Sequence, residues 1–193
     1  MAVKILLTGS PGVGKTTILE NVLQILLAQN KKVMGCLVKE ERFKGKRERF
    51  HIHYIPDNKT TVLASHLEKL SDFFVSRFSV NTRALKEELF PFMDKMVQSS
   101  IDTTLIFDEI GRMQKGGTPQ GDSKKDESLS HEFLKKVDQL FASPHNMIAT
   151  ILYDDEEWTH KYKNYPHVKV ITVTQDNRDS IVPSVMKLLE PHS

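Results

Sequence analysis

The chain has 193 residues, 39% of them apolar and 27% charged, with a formal net charge of +2. That length and balance suit one globular domain with its own core, exclude a disordered chain, and carry too little charge to argue for nucleic acid as a partner. A single cysteine, Cys36, excludes an internal disulfide and points to a reducing, cytoplasmic or otherwise intracellular setting, and no run approaches the ~20 apolar residues of a membrane span.

Val3 to Leu7 is an apolar run too short for a signal-peptide core and suited to a buried strand. Residues 9–14 are rich in glycine. Lys15 to Asn30 then takes helical spacing, with Ile18, Val22, Ile25 and Leu26 on one face. A second strand is expected over 32–38. Over 48–55 Phe50, Ile52 and Tyr54 alternate with His51 and His53, the period of a strand. The polar stretch 41–47 between them reads as a hairpin turn. Leu67 to Phe78 and Asn81 to Val97 have helical character, with a kink expected at Phe90-Pro91. Thr103 to Phe107 is another buried strand. Residues 114–130 are polar and rich in glycine, and are expected to form a flexible loop. Helix 131–142, strand 146–152, helix 155–164, strand 167–173 and helix 177–190 complete the chain. Strands alternating with helices predict an α/β fold in one domain, 1–193, with a mainly parallel sheet flanked by helices and an antiparallel hairpin at 33–55.

The segment Gly9-Ser10-Pro11-Gly12-Val13-Gly14-Lys15-Thr16-Thr17 fits G-x-x-x-x-G-K-[ST] between a predicted strand and a predicted helix. Each part has a physical task. The glycines let backbone N–H groups turn inward onto phosphate oxygens, and the helix that follows offers its positive end to the same anion. Lys15 reaches the β- and γ-phosphates as a compact charge, the Thr16 hydroxyl ligates Mg²⁺, and Thr17 donates to the α-phosphate. The run Thr104-Leu105-Ile106-Phe107 ends in Asp108 and Glu109. A phosphate-binding loop needs an acid at such a strand end to hold Mg²⁺ or its waters, the role expected of Asp108. Glu109, in the following turn, is expected to orient a water toward the γ-phosphate.

Asp108-Glu109-Ile110-Gly111-Arg112-Met113 resembles the D-E-I-G-[KR]-M element of the small nucleoside-triphosphatases, the thermophilic nucleotide phosphatases and their eukaryotic cancer-related relatives. The loop around Pro11 to Thr17 is similar too. So are Gly45-Lys46-Arg47 with Phe50-His51-Ile52, and Val173-Thr174-Gln175-Asp176-Asn177-Arg178. The resemblance spans nearly the whole chain. It implies a RecA-like P-loop fold and Mg²⁺-dependent cleavage of nucleoside triphosphates to diphosphate and phosphate, with ATP, GTP, CTP and UTP all accepted. The chain departs from the family at Gly35-Cys36-Leu37-Val38-Lys39-Glu40-Glu41, where relatives read G-F-Y-T-E-E, and in the long polar segment after Met113.

Several side chains keep more than one reading. Arg47, in the basic cluster with Arg42, Lys44, Lys46 and Arg49, is a clamp on the triphosphate, part of a nucleic-acid patch, or a solvated hairpin tip. Arg112 stabilises γ-phosphate charge or pairs with an acid at the surface. Asn177 is expected to cap the last helix, and Arg178 to lie near the base or ribose. His51 and His53 share a strand face without a third metal ligand nearby in sequence. A monomeric hydrolase is the first expectation. A nucleotide or small-molecule kinase on the same scaffold and a non-catalytic, nucleotide-gated interaction module are the alternatives.

Overall fold

The computed structural model describes residues 2–119, 127–154 and 156–190. The chain separates into two compact units. The first comprises Met1–Leu37, Ser99–Glu109 and Pro144–Ser193, and the second Val38–Gln98 and Ile110–Ser143.

The first unit is a parallel sheet with helices. Strand β1 (Lys4–Thr8) leads through a loop to α1 (Lys15–Ala28) and then to β2 (Val33–Phe43). Later come β7 (Thr104–Ile110), β9 (Met147–Ile151), α5 (Glu157–Lys163), β10 (Val168–Thr172) and α6 (Arg178–Leu189). The strand order is β10-β1-β9-β7-β2. β1 is parallel to β10 on one side and β9 on the other, and the first residues of β2 run parallel to β7. β1 and β9 are buried throughout. Strands covered on both faces must be continuously apolar, which is why they stand out in the sequence as short unbroken runs. Helix α1 buries Ile18, Leu19, Val22, Leu23 and Leu26 and packs beside α6 and β9. Among the described residues, no helix is long and apolar enough to cross a membrane.

The second unit is antiparallel. β2 runs on into it and returns as β3 (Lys46–Ile55) across the two residues Lys44 and Gly45, with φ of 46° and 77°. So short a connection forces an antiparallel pair, and positive φ at both positions is the hairpin turn whose twist suits it. The turn is therefore two residues long, against the seven expected. β4 (Thr60–Ser65), for which no strand was expected, pairs with β3. β5 (Phe73–Val75) and β6 (Phe78–Val80) form a small hairpin where a helix over Leu67 to Phe78 was expected. The reason lies in two serines. Ser79 Oγ accepts the N–H groups of Leu70 and Ser71 at 2.9 and 3.0 Å, and Ser71 Oγ accepts that of Phe73 at 3.1 Å. Backbone donors that a helix would need are taken by side chains.

Helix formation resumes at α2 (Thr82–Ala84), where the Asn81 side chain accepts the Ala84 N–H at 3.0 Å as an N-cap. A π turn over Leu85–Leu89 leads into α3 (Phe90–Gln98). The expected disturbance at Phe90-Pro91 takes this form. Pro91 has no N–H to give the preceding turn, and the Phe90 N–H reaches back to the Leu85 carbonyl. β8 (Thr118–Pro119) pairs with β5, and α4 (Glu127–Ala142) begins four residues earlier than expected. Of the loop expected at 114–130, residues 118–119 are strand and residues from 127 on are helix, and residues 120–126 lie outside those described. Phe133 of α4 stacks on Phe90, and Lys136 holds both carboxylate oxygens of Asp94 at 2.7 Å.

One charge sits deep in the first unit. Lys4, only 4% exposed, donates from Nζ to the His145 carbonyl at 2.8 Å. Burial lowers its pKa from 10.5 to about 8. Between those values the unfolded chain keeps the proton and the folded chain has lost it, so stability rises with pH across that window. The shift corresponds to roughly 3 kcal/mol. Lys4→Met removes this titration. Denaturation at about pH 7.5 and about pH 10 should show the parent gaining about 2–3 kcal/mol relative to the variant, whereas a constant difference would remove the buried charge from the account.

Candidate active site

The loop joining β1 to α1 turns on its glycines. At Gly9, with φ of 147°, a Cβ would lie 2.5 Å from the Val173 carbonyl oxygen, so only glycine lets the chain leave β1 here. The loop closes through the Val13 N–H to the Ser10 carbonyl at 3.2 Å. Lys15 folds back over it, its ammonium donating to the carbonyls of Gly9 at 2.7 Å and Ser10 at 3.1 Å. Helix α1 starts from Gly14 with no side-chain cap and no acidic residue in its first turn. Its leading N–H groups and the positive end of its dipole are therefore left for an anion.

The acid lies across from this turn. Asp108, near the end of β7, is 4% exposed. Its Oδ2 accepts a hydrogen bond from Thr16 Oγ1 at 2.8 Å, and its Oδ1 accepts one from Thr150 Oγ1 on β9. Cys36 Sγ lies 3.9 Å from the Asp108 carbonyl, and burial pushes the Cys36 thiol up, keeping it protonated. The Asp108–Glu109 peptide is cis, and Glu109 is half-buried. The Thr16 hydroxyl and the Asp108 carboxylate are hard oxygen donors within hydrogen-bonding reach of one another. Among the described residues there is no group of three or more His, Cys, Asp or Glu that could hold a metal ion. The Thr16 and Asp108 oxygens suit Mg²⁺, which binds through one or two protein oxygens together with phosphate and water.

A second loop flanks the first. After β10, the Val173 N–H donates to the Thr8 carbonyl at 2.7 Å. Asn177 does not cap α6 with its side chain, as was expected. Its Oδ1 instead accepts the Thr174 N–H at 2.8 Å and its Nδ2 donates to the Thr172 carbonyl at 2.9 Å, folding the loop on itself. Arg178, next along, lays its stem by the phosphate loop: a Cβ on Gly14 would be 3.9 Å from Arg178 Cδ. Its guanidinium, half exposed, lies 3.7 Å from Asp179.

The first unit thus brings together the Gly9–Thr17 loop, Asp108, Glu109, Asn177 and Arg178. Arg47 and Arg112 belong to the second unit. Arg47 Nε pairs with Glu40 at 2.7 Å, and Arg112 is exposed in the turn after β7, its carbonyl accepting the Gly117 N–H at 2.8 Å. In the same unit His51 Nε2 lies 2.8 Å from Glu41 Oε2, and His53 Nδ1 is 3.2 Å from Thr60 Oγ1. Sequence reasoning passed over Thr150. The signal for it was faint: one hydroxyl in the otherwise apolar run Met147-Ile148-Ala149-Thr150-Ile151.

Comparison with known proteins agrees with this geometry. A family model described as NTPase matches residues 4–186. The chain is similar to the nucleoside-triphosphatase THEP1 of Thermotoga sp. (strain RQ2), with 30% identity over 187 residues, covering 97% of this chain and 95% of that protein. Among solved structures it is similar to THEP1 from the hyperthermophile Aquifex aeolicus, with a TM-score of 0.78, 28% identity, and 97% and 99% of the two chains covered. The solution structure of a human cancer-related nucleoside triphosphatase shares the fold, with a TM-score of 0.76 and 23% identity over the whole of both chains.

The Thr150 bond to Asp108 is testable apart from any activity. Thr150→Val keeps the shape but leaves a buried carboxylate oxygen without this donor, and should lower the unfolding free energy by about 1–3 kcal/mol in urea titration. Thr150→Ser should recover most of the loss. A Val variant as stable as the parent would show that the bond contributes nothing.

Proposed function

The chain belongs to the NTPase family, and on that premise we propose that it cleaves nucleoside triphosphates to nucleoside diphosphate and phosphate with Mg²⁺, accepting ATP, GTP, CTP and UTP, as a monomer in which both units serve one P-loop domain. The observation that carries the reading is the hydrogen bond between Thr16 and Asp108. It couples the phosphate loop to the acid at the strand end, the pairing that phosphoryl transfer on this scaffold requires.

The N–H groups at the start of α1 and the Lys15 ammonium bind the phosphates, with Lys15 exchanging its two loop carbonyls for phosphate oxygens. The oxygens of Thr16 and Asp108 would hold Mg²⁺, whose charge offsets that building on the phosphate oxygens. Thr150 keeps the Asp108 carboxylate turned toward Thr16. Glu109 accepts a hydrogen bond from a water and aligns it with the γ-phosphorus. The water oxygen bonds to phosphorus and its proton passes to Glu109. The bond from phosphorus to the bridging oxygen breaks, and the diphosphate leaves with that electron pair. Arg178, its Cδ 3.9 Å from where a Cβ on Gly14 would lie, stands beside the loop on the side where the ribose and base would leave it.

Phosphate release from each of the four ribonucleoside triphosphates, with no acceptor added, tests the reading directly. Glu109→Gln should retain nucleotide binding and lower kcat by about 100-fold or more. Lys15→Ala should weaken triphosphate binding itself. Phosphate release by Glu109→Gln at the parent rate would remove Glu109 from its role, and transfer of the γ-phosphoryl group to an added nucleoside monophosphate, forming its diphosphate in place of free phosphate, would make the protein a kinase.

A further inference from the structure

A groove of about 600 Å³ opens at the start of α1 and runs between α1 and α6. Its mouth is Gly14 and Thr17, and its walls carry Asn21, Gln24 and Ile25 from α1 and Arg178, Asp179 and Val182 from α6. Thr17, Asn21, Gln24 and Ile25 are four, seven and eight residues apart along one face of the helix. Asn21 and Gln24 are exposed, whereas Ile25 and Val182 are half-buried. The volume lies within the range of small-molecule sites, and apolar walls with a few polar groups are their usual lining.

We propose that this groove takes the nucleoside of the substrate, and that Asn21 and Gln24 are the residues that make it tolerant of every base. The proposal rests on reading Gly9–Thr17 as the triphosphate loop. The chain of phosphates ends at Thr17, so the ribose and base continue from there, and Thr17 is where the groove begins. A smaller cavity of about 290 Å³ lies by the apex of the loop, lined in part by Pro11, Gly12 and Tyr153, but it does not include Thr17. In the groove, Ile25 and Val182 offer an apolar surface to one face of the base. Arg178 lines the groove with its Cδ 3.9 Å from where a Cβ on Gly14 would lie, and there its planar guanidinium can stack on the ring.

Base tolerance follows from the amides. Each primary amide has both a carbonyl acceptor and two N–H donors, and turning it over exchanges them. Adenine and cytosine present an amino donor where guanine and uracil present a carbonyl acceptor. An exposed Asn or Gln answers either by rotation, at little cost in packing. A buried fixed donor or acceptor would instead reject the mismatched base. Gln24→Glu turns the tolerant group into an acceptor only.

The test uses equilibrium binding of the four Mg²⁺–nucleoside diphosphates and of Mg²⁺–pyrophosphate to the full chain. Val182→Trp fills the groove and should raise the ratio of the nucleoside diphosphate Kd to the pyrophosphate Kd by about tenfold for all four bases. Gln24→Glu, nearly isosteric and exposed, should shift preference toward cytidine over uridine diphosphate by about tenfold, through a charge-assisted bond to the amino group. An unchanged ratio in Val182→Trp, or an unchanged cytidine-to-uridine preference in Gln24→Glu, overturns the assignment. Loss of the ratio in Tyr153→Ala instead would move the nucleoside to the apex cavity and overturn it equally. Because these readouts are binding constants, they stand even if phosphate release is absent, whereas failure to bind pyrophosphate at all would strike the phosphate-loop reading itself.

Discussion

Everything in the first unit converges on the carboxylate of Asp108, held between two threonine hydroxyls. Thr16 comes from the first turn of α1 and Thr150 from the end of β9, while the acid itself comes from β7. Three elements far apart in sequence therefore meet at one functional group. A buried carboxylate is costly unless its oxygens are satisfied, and here each oxygen has a hydroxyl donor. The same bonds fix where the acid points. The geometry of the phosphate site and the stability of the sheet around it are thus two aspects of one arrangement.

The phosphate loop is pinned from the other side by close backbone approach. Gly9 lies so near the Val173 carbonyl that no side chain fits, and Asn177 spends both ends of its amide on the loop it begins from. Those two bonds set the path of the chain that leads from β10 to Arg178.

The centre of the first unit was readable from sequence because β1, β7 and β9 are buried nearly throughout. Ile5-Leu6-Leu7 and Ile106-Phe107 have no polar residue to blur their limits, and the glycine-rich loop is a local pattern with local physics. The region from 56 to 80 was not readable in the same way. Its strands are three to six residues long, and side-chain oxygens of Ser71 and Ser79 decide which backbone donors are free. No periodicity records such a choice. Thr150 escaped for a different reason: its partner lies 42 residues away, and a threonine is an ordinary strand residue until the acid beside it is known.

The position of β1 has a consequence for how the molecule comes into being. That strand carries the phosphate loop at its end, yet its partners on both sides are β9 and β10, beginning at Met147 and Val168. Residues 4–8 find their sheet neighbours only when residues 147–150 and 168–172 are in place. Contacts so distant along the chain are slow to form because the intervening loop must first be closed. Until then the glycine-rich segment has no sheet to fix the strand from which it starts. The frame that holds the glycine-rich loop is therefore complete only once β9 and β10 have closed the sheet around β1.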